Sequence, residues 1–129
     1  ATSPFYGAWA REAERECKEM ARYLKRRDLE RVGCLAERNA WRMHATAFGA
    51  NPPLCYLRPA TLSVIEACRE MRHQGLGVWF TLDAGPNPVL LTSERDEARV
   101  AQMVRARGVM ELVHCAPGGD ALLIDSHLI

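Results

Sequence analysis

Val78-Trp79-Phe80-Thr81-Leu82-Asp83-Ala84-Gly85-Pro86-Asn87-Pro88-Val89-Leu90-Leu91-Thr92, residues 78–92, is the stretch where the sequence changes period. Val78, Phe80 and Leu82 alternate with Trp79, Thr81 and Asp83, the two-residue repeat of a strand. Asp83 to Asn87 has the composition of a turn, and Val89–Thr92 follows as a second short strand. If the register holds through residue 83, Asp83 shares a face with Trp79 and Thr81. Val78, Phe80 and Leu82 then face the helices.

Before Gly75 and Gly77 the period is helical. Ser3 is a candidate N-cap and Pro4 suits a first turn. Phe5, Trp9, Ala13, Cys17, Met20 and Leu24 recur at spacings of three and four, the stripe of an amphipathic helix. The run Lys25-Arg26-Arg27 reads as a solvated corner, and Asp28 caps a second helix ending near Phe48 at Gly49. Its expected apolar stripe is Leu29, Val32, Ala36 and Met43. So short a connection predicts an antiparallel helical hairpin. Asn51-Pro52-Pro53 must be loop. A third helix is expected from Pro59 or Ala60 to Arg72, turning Leu62, Ile65 and Cys68 or Met71 inward. Ser93 opens a fourth through Arg107, with Val100, Val104 and Ala101 or Met103 inward. Two further strands are expected at Met110–Cys115 and Ala121–Asp125, around Pro117-Gly118-Gly119. The sum is one α+β domain over residues 1–129. Its helices pack on a small, mainly antiparallel sheet, nearest to a ferredoxin-like two-layer sandwich.

Composition excludes several classes. The 129 residues are 48% apolar and 26% charged with a formal net charge of +1. No strong field draws the chain to nucleic acid or an anionic membrane. No apolar run approaches the roughly 20 residues of a membrane span. The N-terminus lacks the basic and apolar regions of a signal peptide. Five scattered cysteines without a C-x-x-C pair read as reduced thiols of a cytoplasmic protein, mostly filling core positions.

Three features could carry chemistry. Asp83 ends a strand at a glycine-containing turn, where a carboxylate can project from a rigid element into a cleft. An aspartate there more often caps its own turn. On the second helix, His44 could be a general base; a helical histidine bonded to nearby backbone is the commoner case, and no carboxylate or second histidine stands at metal-ligand spacing. Pro117-Gly118-Gly119-Asp120 lacks the lysine and following helix of a phosphate loop, so a turn explains it.

Several runs together carry a resemblance. Thr2-Ser3-Pro4-Phe5-Tyr6 with Trp9 is followed by Ala36-Glu37-Arg38-Asn39-Ala40, Met43-His44-Ala45-Thr46, Asn51-Pro52-Pro53 and Tyr56. Phe80 to Asn87 comes next. In this order and spacing the chain resembles the C-terminal domain of diphosphomevalonate decarboxylases, of the GHMP kinase superfamily, over about its first two-thirds; Pro117 to Ala121 matches more loosely. The resemblance implies an ATP-dependent carboxy-lyase of the mevalonate pathway. ATP phosphorylates the tertiary 3-hydroxyl of mevalonate diphosphate. Phosphate and carbon dioxide are then lost, giving isopentenyl diphosphate. The family's catalytic aspartate falls on Asp83, with Ala84 beside it as a substrate contact.

Two departures accompany it. The family usually continues D-A-G-P-N with valine-lysine, where this chain has Pro88-Val89. The family's glycine- and serine-rich nucleotide loop, and the residues that hold diphosphate and carboxylate, precede the matched region. The expectation is therefore a half enzyme, inactive alone. ATP and Mg2+ would be bound by an N-terminal domain, and the complete protein would be a homodimer. The alternatives are a sister enzyme (a phosphomevalonate decarboxylase or mevalonate-type kinase) and a non-catalytic interaction module.

Overall fold

A computed structural model describes residues 2–120. The order is α1 (Tyr6–Lys25), α2 (Leu29–Phe48), α3 (Pro59–His73), β1 (Val78–Thr81), β2 (Val89–Thr92) and α4 (Glu94–Arg105). The α+β architecture expected from the sequence is what forms, with helices packed on a small antiparallel sheet. β1 pairs with β2 in the register Val78 with Thr92 through Thr81 with Val89.

The helix boundaries follow local chemistry. Asp28 accepts a hydrogen bond from the Arg31 N–H at 3.1 Å, and the Ser93 side chain accepts one from the Asp96 N–H. Pro59 stands at the first position of α3, where its missing N–H costs nothing. The start of α1 differs from expectation. Ser3 accepts from the Phe5 N–H within a turn, so the helix begins two residues beyond Pro4. Residues 110–115 form no strand. Val109 and Leu112 pack on the core while Met110 and Val113 stand exposed, and no ladder partner flanks them among the described residues. The other expected strand, at 121–125, lies outside the described residues.

The helical hairpin is antiparallel, because its contacts nest about the Arg26–Arg27 corner: Phe5 lies against Gly49, Glu12 near Arg42, and Glu16 against Arg38. The expected stripe of α1 is less buried than its spacing implies. Phe5, Cys17 and Leu24 are exposed, and the fully covered residue is Glu16. Its carboxylate accepts from Arg38 Nε at 2.8 Å, Arg42 Nη1 at 2.6 Å and Asn39 Nδ2 at 3.2 Å. A buried charge persists only with such partners.

On α2 the buried residues are Gly33, Leu35, Ala40 and His44 rather than the expected stripe, because the helix is covered by α1 on one side and β1 on the other. The core gathers Ala40, Ile65, Cys68, Met71, Val78 and Phe80, with Val100 and Val104 of α4. Leu62, expected to face inward, is exposed, and Thr61, Val64 and Ala67 take that side of α3. Most cysteines also depart from expectation: Cys17, Cys34, Cys55 and Cys115 are exposed. Burial pushes the Cys68 thiol up to about 12, leaving it an uncharged core filler. Trp79 was expected on a polar face, yet it is buried, seated on α2 where Gly33 has no Cβ to obstruct it.

β1 has its outer edge closed by side chains. Glu37 Oε1 accepts from the Phe80 N–H at 3.1 Å, and Arg72 Nη1 donates to the Val78 carbonyl at 2.7 Å. The two side chains also pair with each other at 2.7 Å, only 16% and 28% exposed. Asp96 accepts from the Gly77 N–H at 3.1 Å and ties the start of α4 to the start of the strand.

Glu37→Ala leaves the Phe80 N–H without its acceptor and the Arg72 guanidinium without its carboxylate partner, with only the Val78 carbonyl remaining to it. It should cost about 1.5–3 kcal/mol in urea denaturation; a loss under about 0.5 kcal/mol, the size of an ordinary surface change, would contradict the edge-closing role. His44 gives a pH signature. It is fully buried, with Tyr56 and Phe48 rings 5.9 and 6.3 Å from its own. Burial holds its pKa below the usual 6.5. Between those two pKa values the unfolded chain binds a proton that the fold excludes. Stability is thus full above about pH 6.5 and falls on acidification below it. His44→Phe should flatten that part of the melting-temperature profile; an unchanged slope would show that His44 does not set it.

Candidate functional site

Asp83 stands two residues beyond the last paired residue of β1 and directly after Leu82, which is 2% exposed. The buried leucine plants the chain in the core, and the next two residues, Asp83 and Ala84, face solvent. The turn closes on itself through a 2.7 Å hydrogen bond from the Gly85 N–H to the Asp83 carbonyl. Farther along, the Thr61 hydroxyl donates to the Pro86 carbonyl at 2.5 Å. Among the described residues no hydrogen bond or ion pair engages the Asp83 carboxylate. It does not cap its own turn. It is a charged acceptor at the end of a held strand, free to meet a hydroxyl or a cation from outside.

The second-helix cluster resolves into structural parts. Glu37 closes the strand edge, while Arg38, Asn39 and Arg42 satisfy Glu16. Thr46 returns its hydroxyl to the Met43 carbonyl at 2.6 Å. His44 is the member that reaches the site: the Asp83 backbone lies close enough to oppose the fall in its pKa. Its ring nitrogens nevertheless lack a partner of good hydrogen-bond geometry. It is sealed from solvent, so it cannot act as a general base on a bound molecule. Nor does it bond to backbone of its own helix, as a helical histidine commonly does. The fold thus brings His44 to the Asp83 backbone, from which it stands far apart in sequence.

Thr81 lies on the strand face expected to carry Asp83. It lines a groove of about 350 Å³ between α1, α2 and β1, with Glu16, Cys17, Met20, Leu35 and Asn39. Asp83 is not part of its wall. The polar side of the groove is the saturated Glu16 network, so it offers little to a ligand. Among the described residues no three His, Cys, Asp or Glu side chains gather as a metal site. Pro117 to Asp120 is exposed, and neither the expected turn nor any regular element forms there.

Sequence reasoning missed Thr61, Glu16 and the Glu37–Arg72 pair. Thr61 had a signal: Pro59 fixes the helix start, which puts a threonine oxygen where it reaches back to the Arg58 N–H, at 3.2 Å. Glu16 had a weaker one, sitting among Ala13, Cys17 and Met20 rather than on the charged side. The Glu37–Arg72 pair had none, since nothing local links positions so far apart.

Comparison with known proteins gives one answer. The family model for the mevalonate 5-diphosphate decarboxylase C-terminal domain matches residues 1–113. Diphosphomevalonate decarboxylase of Rattus norvegicus is 31% identical over 90 residues, covering 68% of this chain and 22% of its own length. Among solved structures, mevalonate pyrophosphate decarboxylase from Streptococcus pyogenes superposes with a TM-score of 0.78 at 39% identity, over 81% of this chain and 33% of that one. A further structure, of MDDEF in complex with MVAPP, AMPPCP and magnesium, also gives 0.78, at 32% identity over 81% of this chain and 32% of that one. The chain thus spans about a fifth of the curated relative's length and about a third of the solved ones. On the matched family model and the shared fold, this chain belongs to the mevalonate 5-diphosphate decarboxylase C-terminal domain family.

Proposed function

We propose that this chain is the C-terminal part of an ATP-dependent diphosphomevalonate decarboxylase, with Asp83 as its catalytic carboxylate and Ala84 as a substrate contact. The observation that carries this reading is the state of Asp83: exposed, unpartnered among the described residues, and fixed between a buried leucine and a tethered turn. A tertiary alcohol is a poor nucleophile. A positioned carboxylate takes its proton, or orients it, as the oxygen attacks the γ-phosphorus of ATP and ADP leaves. The new C–O–phosphate bond then breaks as the carboxylate carbon departs as carbon dioxide. The electron pair of that C–C bond becomes the double bond of isopentenyl diphosphate.

In this reading ATP and Mg2+ are held by a nucleotide-binding domain outside these 129 residues. The chain carries no glycine-rich phosphate loop, and the described residues gather no metal-ligand cluster. The solved relative in complex with MVAPP, AMPPCP and magnesium supports the pairing of substrates. The open surroundings of Asp83 support a cleft whose other wall comes from that domain. Residues 1–129 act as one domain of it. A homodimeric, cytoplasmic full-length protein belongs to the same proposal; no helix among the described residues is long and apolar enough to cross a membrane.

Release of carbon dioxide from mevalonate diphosphate and ATP tests the reading. The full-length protein carrying this chain should turn over and the isolated chain should not. Asp83→Asn should lower kcat by at least about 100-fold, as loss of a general base does, with an unchanged melting temperature. An Asp83→Asn enzyme of normal kcat would remove the carboxylate from the mechanism, and turnover by the isolated chain would remove the need for a second domain.

A further inference from the structure

We infer that Thr61 is a positioning residue for Asp83: its hydroxyl anchors the far end of the turn that carries the carboxylate. This rests on the reading of Asp83 as the catalytic group, and its geometry stands apart from that reading.

The Asp83 side chain has no partner among the described residues, so its direction is inherited from the backbone. The turn spans the gap between the last strand pair, Thr81 with Val89. Its near end is fixed by Leu82, which is 2% exposed. Beyond Asp83, whose backbone lies near His44, the turn is not held by packing, since Ala84 and Pro86 are exposed and a Cβ on Gly85 would meet nothing within 4 Å. The tie on the far side is the Pro86 carbonyl, which accepts from Thr61 at 2.5 Å. Pro86 has no N–H to offer, and the rings at Pro86 and Pro88 fix φ at both positions. A carbonyl held at Pro86 therefore fixes the path of the chain on either side.

The direction of that bond is forced. A threonine hydroxyl has one hydrogen and two lone pairs. The Arg58 N–H already donates to Thr61 Oγ1 at 3.2 Å, which uses a lone pair and leaves the hydrogen for Pro86. Thr61 is itself 2% exposed and lies in the first turn of α3, so the anchor is rigid and sheltered from water. One hydroxyl thus closes the start of α3 and holds the catalytic turn to it. A small displacement of a reacting group forfeits much of its orientation gain. Loss of this hydroxyl is accordingly expected in kcat rather than in substrate affinity.

The test compares wild type, Thr61→Val, Thr61→Ser and Asp83→Asn in the full-length protein. Hydrogen–deuterium exchange over residues 82–89 is read beside steady-state kinetics. Thr61→Val keeps the shape and removes the donor. It should speed exchange in that segment and lower kcat about 10- to 100-fold, with KM for mevalonate diphosphate within about 3-fold, the mark of an interaction not spent on binding. Thr61→Ser restores the hydroxyl and should recover both. Should the valine variant not fold, Thr61→Cys, a weaker donor of similar size, should give intermediate values on both readouts; wild-type values there would count against the anchor. Unchanged exchange in Thr61→Val, a serine variant as impaired as the valine one, or a rise in KM with kcat intact would each overturn the inference. An active Asp83→Asn enzyme overturns the catalytic reading of Asp83 instead, while exchange still reports on the anchor.

Discussion

Glu37 and Arg72 close the outer edge of β1, and the arrangement of the other elements follows from that closure. A strand edge presents unpaired N–H and carbonyl groups, and burying them unpaired costs more than packing returns. Here one carboxylate accepts from the Phe80 N–H and one guanidinium donates to the Val78 carbonyl, while the two pair with each other. Because Glu37 comes from α2 and Arg72 from α3, the contact sets the position of two helices against the strand at once. Phe80 can then turn its ring inward against Trp41, 5.7 Å away in an edge-to-face contact.

The two carboxylates that hold the helices in place solve related problems differently. Glu16 is wholly buried and is saturated by three side-chain donors on α2. Its contribution is specificity of pairing, since an unmatched partner helix would leave the charge stranded. Glu37 remains slightly exposed and bridges side chain to backbone. Asp83, by contrast, faces outward with no partner among the described residues. Exposed carboxylates such as Glu14, Glu30 and Glu94 also lack partners, but Asp83 differs in following the buried Leu82 at a strand end and in opening a turn tied to Thr61.

Much of this architecture was legible in the sequence. The strand Val89–Thr92, the caps at Asp28 and Ser93, and the buried set of α4 all follow from local signals, because caps and short periods act over a few residues. Asp83 was visible as a strand-end aspartate, and the D-A-G-P-N run singled it out. What local reading missed was long-range. Trp79 looked outward by alternation, but its face is covered because Gly33 on α2 leaves room for the ring. The stripe of α1 promised more burial than one partner helix supplies, so Phe5 and Leu24 stay exposed. The polar ties were illegible for the same reason: Thr61 to Pro86 and Arg72 to Glu37 join positions that no helical or strand period relates.

The proposed catalytic role of Asp83 requires the tertiary hydroxyl of mevalonate diphosphate to arrive beside this carboxylate, which is unpartnered among the described residues. The most direct measurement is a crystal structure of the full-length protein with mevalonate diphosphate and a non-hydrolysable ATP analogue bound. An Asp83 carboxylate oxygen is expected within about 3.2 Å of the 3-hydroxyl oxygen, or joined to it through one water. A bound substrate whose hydroxyl meets another residue, with Asp83 turned to solvent, would contradict it.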